Sequence, residues 1–155
     1  MWTPAVFSAL HVLALAIGFS SVLARGRRLR DLRRSPADPV ALAGVLRADS
    51  FWGLAALLWI VTGLTRAFGH IEKTSDFYLH NGFFWVKMAL FGTVLLLETI
   101  PMTTLIRWRI EKPRGGARIA NANLAMLIAL NDAQTVLVLV IPFVAAMMAR
   151  GAWLL

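Results

Sequence analysis

Two charged residues stand inside the longest apolar stretch of the chain: Lys87 and Glu98 in GFFWVKMALFGTVLLLETIPMTTLIRW, residues 82–108. They lie eleven positions apart, and eleven steps of about 100° return to nearly the same face of a helix. A charge held in hydrocarbon costs on the order of 2.5–3.5 kcal/mol on insertion scales, so both should turn inward and find partners. His11, Arg66 and Asp132 are the comparable groups in the other apolar stretches. Each has an ordinary role open to it as well as a chemical one. An intramembrane histidine is a hydrogen-bonded packing residue or a metal ligand. A lysine near a membrane surface snorkels out of the bilayer or faces the interior. Two acids at one depth form either a structural polar lock or a proton relay.

These groups need a scaffold, and the sequence supplies four spans, at about 4–24, 51–68, 82–108 and 124–149. A span of roughly 20 apolar residues crosses the hydrocarbon at about 1.5 Å per residue. The expected fold is therefore all-α: an integral membrane four-helix bundle forming one transmembrane domain over residues 1–155. Pro4 suits a first helical turn, and span 1 should continue as a basic helix through RGRRLRDLRR, stopping before Pro36. Asp38-Pro39 reads as an N-cap and first helical residue, opening a helix that runs unbroken into span 2. A polar loop should fill about 69–81, and Gly115-Gly116 should make the last turn. Pro101 lacks an N–H, so a bend near Leu97–Glu98 is expected. Ala14-x-x-x-Gly18 and Gly63-x-x-x-Ala67 offer close-packing surfaces.

Charge placement orients the bundle. Seven arginines fall at 25–47, and five basic residues at 107–118. Basic loops of this kind stay cytoplasmic, so both termini lie outside, with cytoplasmic loops at about 25–48 and 109–120. The net charge of +8 thus points to anionic lipid head groups rather than nucleic acid. The lipid bilayer is the main partner, and association into a homo-oligomer stays open. No basic residue precedes the first apolar run, so it reads as a retained span rather than a cleaved signal. With no cysteine, disulfides, iron–sulfur ligation and cysteine-based zinc sites are excluded.

Orientation turns positions into depths. His11 and Lys87 come roughly 8–10 Å below the outer surface, with Arg66 near them at the outer end of span 2. Glu98 and Asp132 come at about 24–25 Å, with Asn131 and Gln134 beside them. Trp52 and Asp49 lie at the inner rim. Either one acid of the pair stays protonated, or a base such as Arg107 or Arg47 reaches it. The aromatic residues Trp2, Trp52, Trp85, Trp108 and Trp153 mostly mark interfaces. His70 and His80 read as solvated loop residues, and the methionines as packing.

The segments ADSFWGLAALLWIVTGLTRAF, EK, FFWVKMALF and LETIPMTTLIRWR together resemble a family of four-span bacterial membrane proteins of unknown function. In addition, ALHVLALAIGFSSVLARGRRLR and FFWVKMALFGTVLLL are similar to spans 1 and 3 of HemJ-type protoporphyrinogen oxidases and, more distantly, of CopD-like membrane proteins. That second resemblance implies haem b binding and a redox or porphyrin-handling role in a bacterial inner membrane, the work of a membrane oxidoreductase. It makes His11 the axial metal ligand and Lys87 a propionate partner; shared depth adds Arg66 as a second propionate partner, and the inner polar layer adds Glu98 and Asp132 to Lys87 as candidate catalytic or proton-moving residues. The chain departs from the HemJ pattern where further span-3 histidines would stand, carrying Glu98 and Pro101 instead. A non-enzymatic membrane subunit and a proton or ion pathway through Glu98 and Asp132 are the alternative readings.

Overall fold

Local sequence signals set the helix ends. In a computed structural model that describes residues 2–69, 74–111 and 123–153, helix α1 (Thr3–Arg34) carries Pro4 in its first turn and stops just before Pro36. Helix α2 (Pro39–Phe68) is capped by Asp38, whose carboxylate accepts from the Val40 N–H at 2.8 Å. After a short α3 (Ser75–Leu79), α4 (Gly82–Glu111) opens beside Asn81, whose Oδ1 accepts from the Phe83 N–H at 3.0 Å. Helix α5 (Leu124–Ala149) is capped by Asn123, which accepts from the Met126 N–H at 3.0 Å.

The four long helices have the length and apolarity of membrane spans, and no strand occurs among the described residues. The all-α four-helix membrane bundle read from the sequence is the fold observed. One detail differs: the loop expected over 69–81 contains α3, which buries Tyr78 against Phe84. Pro101 is buried within α4, which continues to Glu111. The Gly115-Gly116 turn, His70, Lys112, Arg114 and Arg118 lie outside the described residues.

Around the bundle the helices run α1, α2, α4, α5. Helix α1 packs along α2 and α5, and α4 packs along α5. Among neighbours, the α2 and α4 backbones approach each other least closely, and side chains bridge that side of the square. Close approach of α1 and α2 depends on Gly18, where an added Cβ would sit 3.4 Å from that of Ala55. The core forms three tiers. Leu29, Val45, Leu105, Trp108 and Leu127 fill the arginine-rich end. Val22, Trp52, Trp59, Val94 and Ile141 fill the middle, and Ala67, Tyr78, Phe84 and Met148 the far end. Outward-facing apolar side chains such as Leu96 (72 % exposed) and Phe143 (69 %) are what a bilayer solvent requires. Trp52 and Trp108 are core residues rather than interface markers; Trp2, Trp85 and Trp153 are exposed.

Candidate functional sites

Between the lower and middle tiers lies a charge network in which all four long helices take part. At its centre is Arg25, whose side chain has no solvent exposure. Its guanidinium has five N–H groups, and each is used. Nε donates to Asn131 Oδ1 at 2.9 Å. Nη1 donates to Asp49 Oδ1 at 3.0 Å and to Glu98 Oε1 at 2.7 Å. Nη2 donates to Glu98 Oε2 and to Gln134 Oε1, both at 2.8 Å. The Arg25–Glu98 contact is thus a parallel two-bond fork, the geometry for which guanidinium and carboxylate are matched. The Trp52 ring lies 5.7 Å from the guanidinium carbon, a cation–π contact.

The second ring of bonds holds these partners. Gln134 Nε2 donates to Glu98 Oε2 at 2.6 Å and to the Val94 carbonyl. Asn131 Nδ2 donates to the Val22 carbonyl at 3.1 Å. Arg109 Nη2 donates to Asp49 Oδ2 at 2.9 Å and to the Leu46 carbonyl. Two arginines face two carboxylates, so the cluster is neutral as a whole. Gly26 lets Asn131 come close, since an added Cβ would lie 2.5 Å from Asn131 Nδ2. Gly26→Ala should push Asn131 off Arg25 and lower stability by about 1–3 kcal/mol, the usual cost of overpacking a core. A thermal melt in detergent reads the effect.

The base that reaches Glu98 is therefore Arg25, rather than Arg47 or Arg107, both of which are exposed. Nor do the two acids meet. Asp132 turns to another face of α5, where Arg30 Nη2 donates to both its oxygens at 2.6 Å. That pair is about half exposed, 44 % and 48 % by side chain. Its Coulomb attraction is screened there, so Asp132→Asn should change stability by less than about 1 kcal/mol. A larger fall in melting temperature would mean that Asp132 has a structural task this pairing does not reveal.

At the far end, between the middle and upper tiers, is a cavity of about 180 Å³. His11 from α1, Arg66 from α2 and Lys87 from α4 all line it. The remaining walls are apolar, among them Trp59, Tyr78, Phe84, Met88, Phe91 and Met148. Lys87 and Glu98 both point inward, but into separate polar layers about 16 Å apart along α4. Lys87 is half-buried, with no hydrogen bond or ion pair among the described residues. His11 Nδ1 lies 2.8 Å from Thr62 Oγ1. The Thr62 hydroxyl is 2.6 Å from the Leu58 carbonyl and donates to it, so His11 Nδ1–H is the donor to Thr62. The imidazole rests beside Trp59, ring centroids 5.8 Å apart, and against Gly63. The buried Trp59 Nε1–H has no hydrogen-bond partner among the described residues. No cluster of three or more His, Cys, Asp or Glu residues able to hold a metal ion occurs among the described residues.

Sequence reasoning missed Arg25, Thr62 and Trp59. By composition Arg25 belongs to the basic loop, yet it extends the buried stripe of Ala14, Gly18 and Val22 by three residues.

The family model described as "Predicted membrane protein (DUF2214)" matches residues 3–152, and the chain belongs to that family. No curated protein and no solved structure matches it. The HemJ-type and CopD-like resemblance therefore stands on its two short segments alone.

Proposed function

We propose that this member of a membrane-protein family binds an amphiphilic acid in the far-end cavity, in a bacterial cytoplasmic membrane with the arginine-rich ends inside. One observation carries the reading: a lysine without a counter-charge among the described residues lines a cavity whose other walls, apart from His11 and Arg66, are apolar. An isolated charge in such a place is unfavourable. A ligand that brings an anion for Lys87 and an apolar body for the aromatic walls relieves that cost. Trp59 adds a hydrogen-bond donor that lacks an acceptor among the described residues, and an unmet buried donor costs about 1–3 kcal/mol.

Haem b, the cofactor implied by resemblance, is one amphiphilic acid, with two propionates on an apolar macrocycle. Bound, it would supply redox chemistry, with His11 at the iron and Lys87 and Arg66 at the propionates. The cavity does not fit it in this conformation. About 180 Å³ is well below the roughly 300–1,000 Å³ of pockets that take drug-sized molecules, and a macrocycle is larger still. Room for it would require α2 and α4 to part. A smaller acid, with a ring or a few methylenes inside the cavity, suits the space as it stands. The Arg25 network, with every N–H satisfied, is read as a structural lock, and the separation of Glu98 from Asp132 leaves a proton path between them without support.

The test compares dodecanoate with dodecanol on the detergent-purified protein. The acid should raise the melting temperature well above the alcohol's effect; saturation at about 100 times Kd corresponds to about 2.7 kcal/mol. Equal responses would remove the acid-binding reading. A Soret band in the purified protein would replace the smaller ligand with haem.

A further inference from the structure

The boundaries of the cavity indicate the phase from which its occupant arrives, an inference that rests on the amphiphilic-acid reading. On the aqueous side α3 lies across the ends of α2 and α4 and touches both. Its buried Tyr78 forms part of the cavity wall and packs on Phe84 at 5.8 Å between ring centroids. The turn after α5 closes the start of α4 from the other direction: the Gly82 N–H donates to the Trp153 carbonyl at 3.0 Å, and the Trp153 ring stands edge-on to Phe83 at 5.5 Å. Below the cavity, Trp59 and Phe91 meet edge to face at 5.7 Å, joining α2 to α4, and Ile141 is buried beside them. The sides formed by α1 with α2, by α1 with α5 and by α4 with α5 are packed. What remains among the described residues is the seam between α2 and α4, where the two backbones approach least closely. The α2 residues next to it, Leu64 (53 % exposed) and Phe68 (51 %), present apolar surface.

We propose that the occupant is a single-chain lipid carboxylate that enters sideways from the outer leaflet, through the seam between α2 and α4. Its carboxylate rests between Lys87 and Arg66 beneath α3, and part of its chain occupies the cavity while the remainder lies along the seam in the bilayer. This accounts for the small volume. A cavity of about 150 Å³ lined by apolar side chains admits a molecule the size of benzene, so about 180 Å³ takes a section of chain and not a whole lipid. It also accounts for a cationic pair set below a roof: a water-soluble anion would meet α3 first, whereas a membrane-dissolved acid meets the cations from the side.

The absence of cysteine makes the route testable. Met88→Cys and Ala145→Cys each place one thiol on the cavity wall, from α4 and α5, and Thr74→Cys places one on the exposed far-end surface. The full-length variants, in sealed phospholipid vesicles, are treated with membrane-partitioning N-phenylmaleimide or with the water-soluble anion sulfonatoethyl methanethiosulfonate. Relative to Thr74→Cys, the cavity thiols should favour the membrane-phase reagent at least tenfold, and dodecanoate in the bilayer should protect them. Equal or greater labelling by the sulfonate, or no labelling by either reagent, would overturn lateral entry. The sulfonate has every electrostatic reason to approach Lys87 and Arg66 if water offers a path. Loss of dodecanoate protection with the reagent preference intact would strike instead at acid binding, so the two failures are distinguishable. If one cysteine variant does not fold, the other carries the measurement.

Discussion

Arg25→Leu should cost about 3–5 kcal/mol of stability, the range found when one member of a buried ion pair is removed. The loss comes less from the missing attraction than from what stays behind. Glu98 would keep only Gln134 as a donor, and its charge would sit among apolar side chains. Asn131 Oδ1 and Gln134 Oε1 would lose their donors. Asp49 suffers least, because Arg109 still donates to it. Arg25→Lys should fall between, since three N–H groups on one nitrogen cannot serve five acceptor positions held in a plane. The decisive comparison is Arg25→Met combined with Glu98→Leu. Buried ion pairs replaced together by apolar residues are often neutral or better, so the double variant should recover most of the stability lost in Arg25→Leu. Thermal melts in one detergent read all three. A melting temperature within a degree of the unmodified protein for Arg25→Leu would show that the network does not hold the helices together. Failure of the double variant to recover would mean that the polar bonds themselves, rather than charge balance, organise this layer.

How far these features could be read from sequence varies with the kind of signal. Pro4, Asp38-Pro39 and the apolar runs are local, and helix starts and spans are written in local chemistry; α1, α2 and α4 begin where those residues require. Counting residues from the membrane surface also brought His11, Arg66 and Lys87 to one depth, and they line one cavity. Depth, however, does not specify azimuth. Asp132 shares a depth with Glu98 and yet faces Arg30, because neighbouring positions on α5 are turned by about 100° and its two inward places are taken by Asn131 and Gln134. Arg25 was hidden by its company. Six arginines follow Ala24 within eleven residues, and composition assigns all of them to a solvated face. Only the periodicity separates the first from the rest: Ala14, Gly18, Val22, Arg25 and Leu29 form one buried stripe. Helix α3 escapes the sequence because SDFYL is shorter than any periodic pattern can resolve, and Tyr78 packs it on Phe84 at the start of α4.

Lys87→Met should have two effects of opposite sign, and their combination is what the binding reading requires. Methionine is of similar length and apolar, and it adapts to irregular walls such as those given by Met88, Phe91 and Met148. Without ligand, replacing the ammonium removes a charge that has no counter-ion among the described residues and that shares the cavity with Arg66. A gain of up to about 2 kcal/mol is expected, below the figure for a charge at mid-bilayer because Lys87 lies near the start of α4. With ligand, the preference for dodecanoate over dodecanol should fall at least tenfold, which corresponds to about 1.4 kcal/mol. Lys87→Arg should keep the preference, since the cation remains. A residue that weakens the empty protein and strengthens the loaded one is the pattern left when function constrains stability. The opposite pairing, with lower stability in Lys87→Met and an unchanged preference for the acid, would make Lys87 a structural residue and transfer the anion site to Arg66 and His11. Melting curves of the three proteins with and without each additive decide between them.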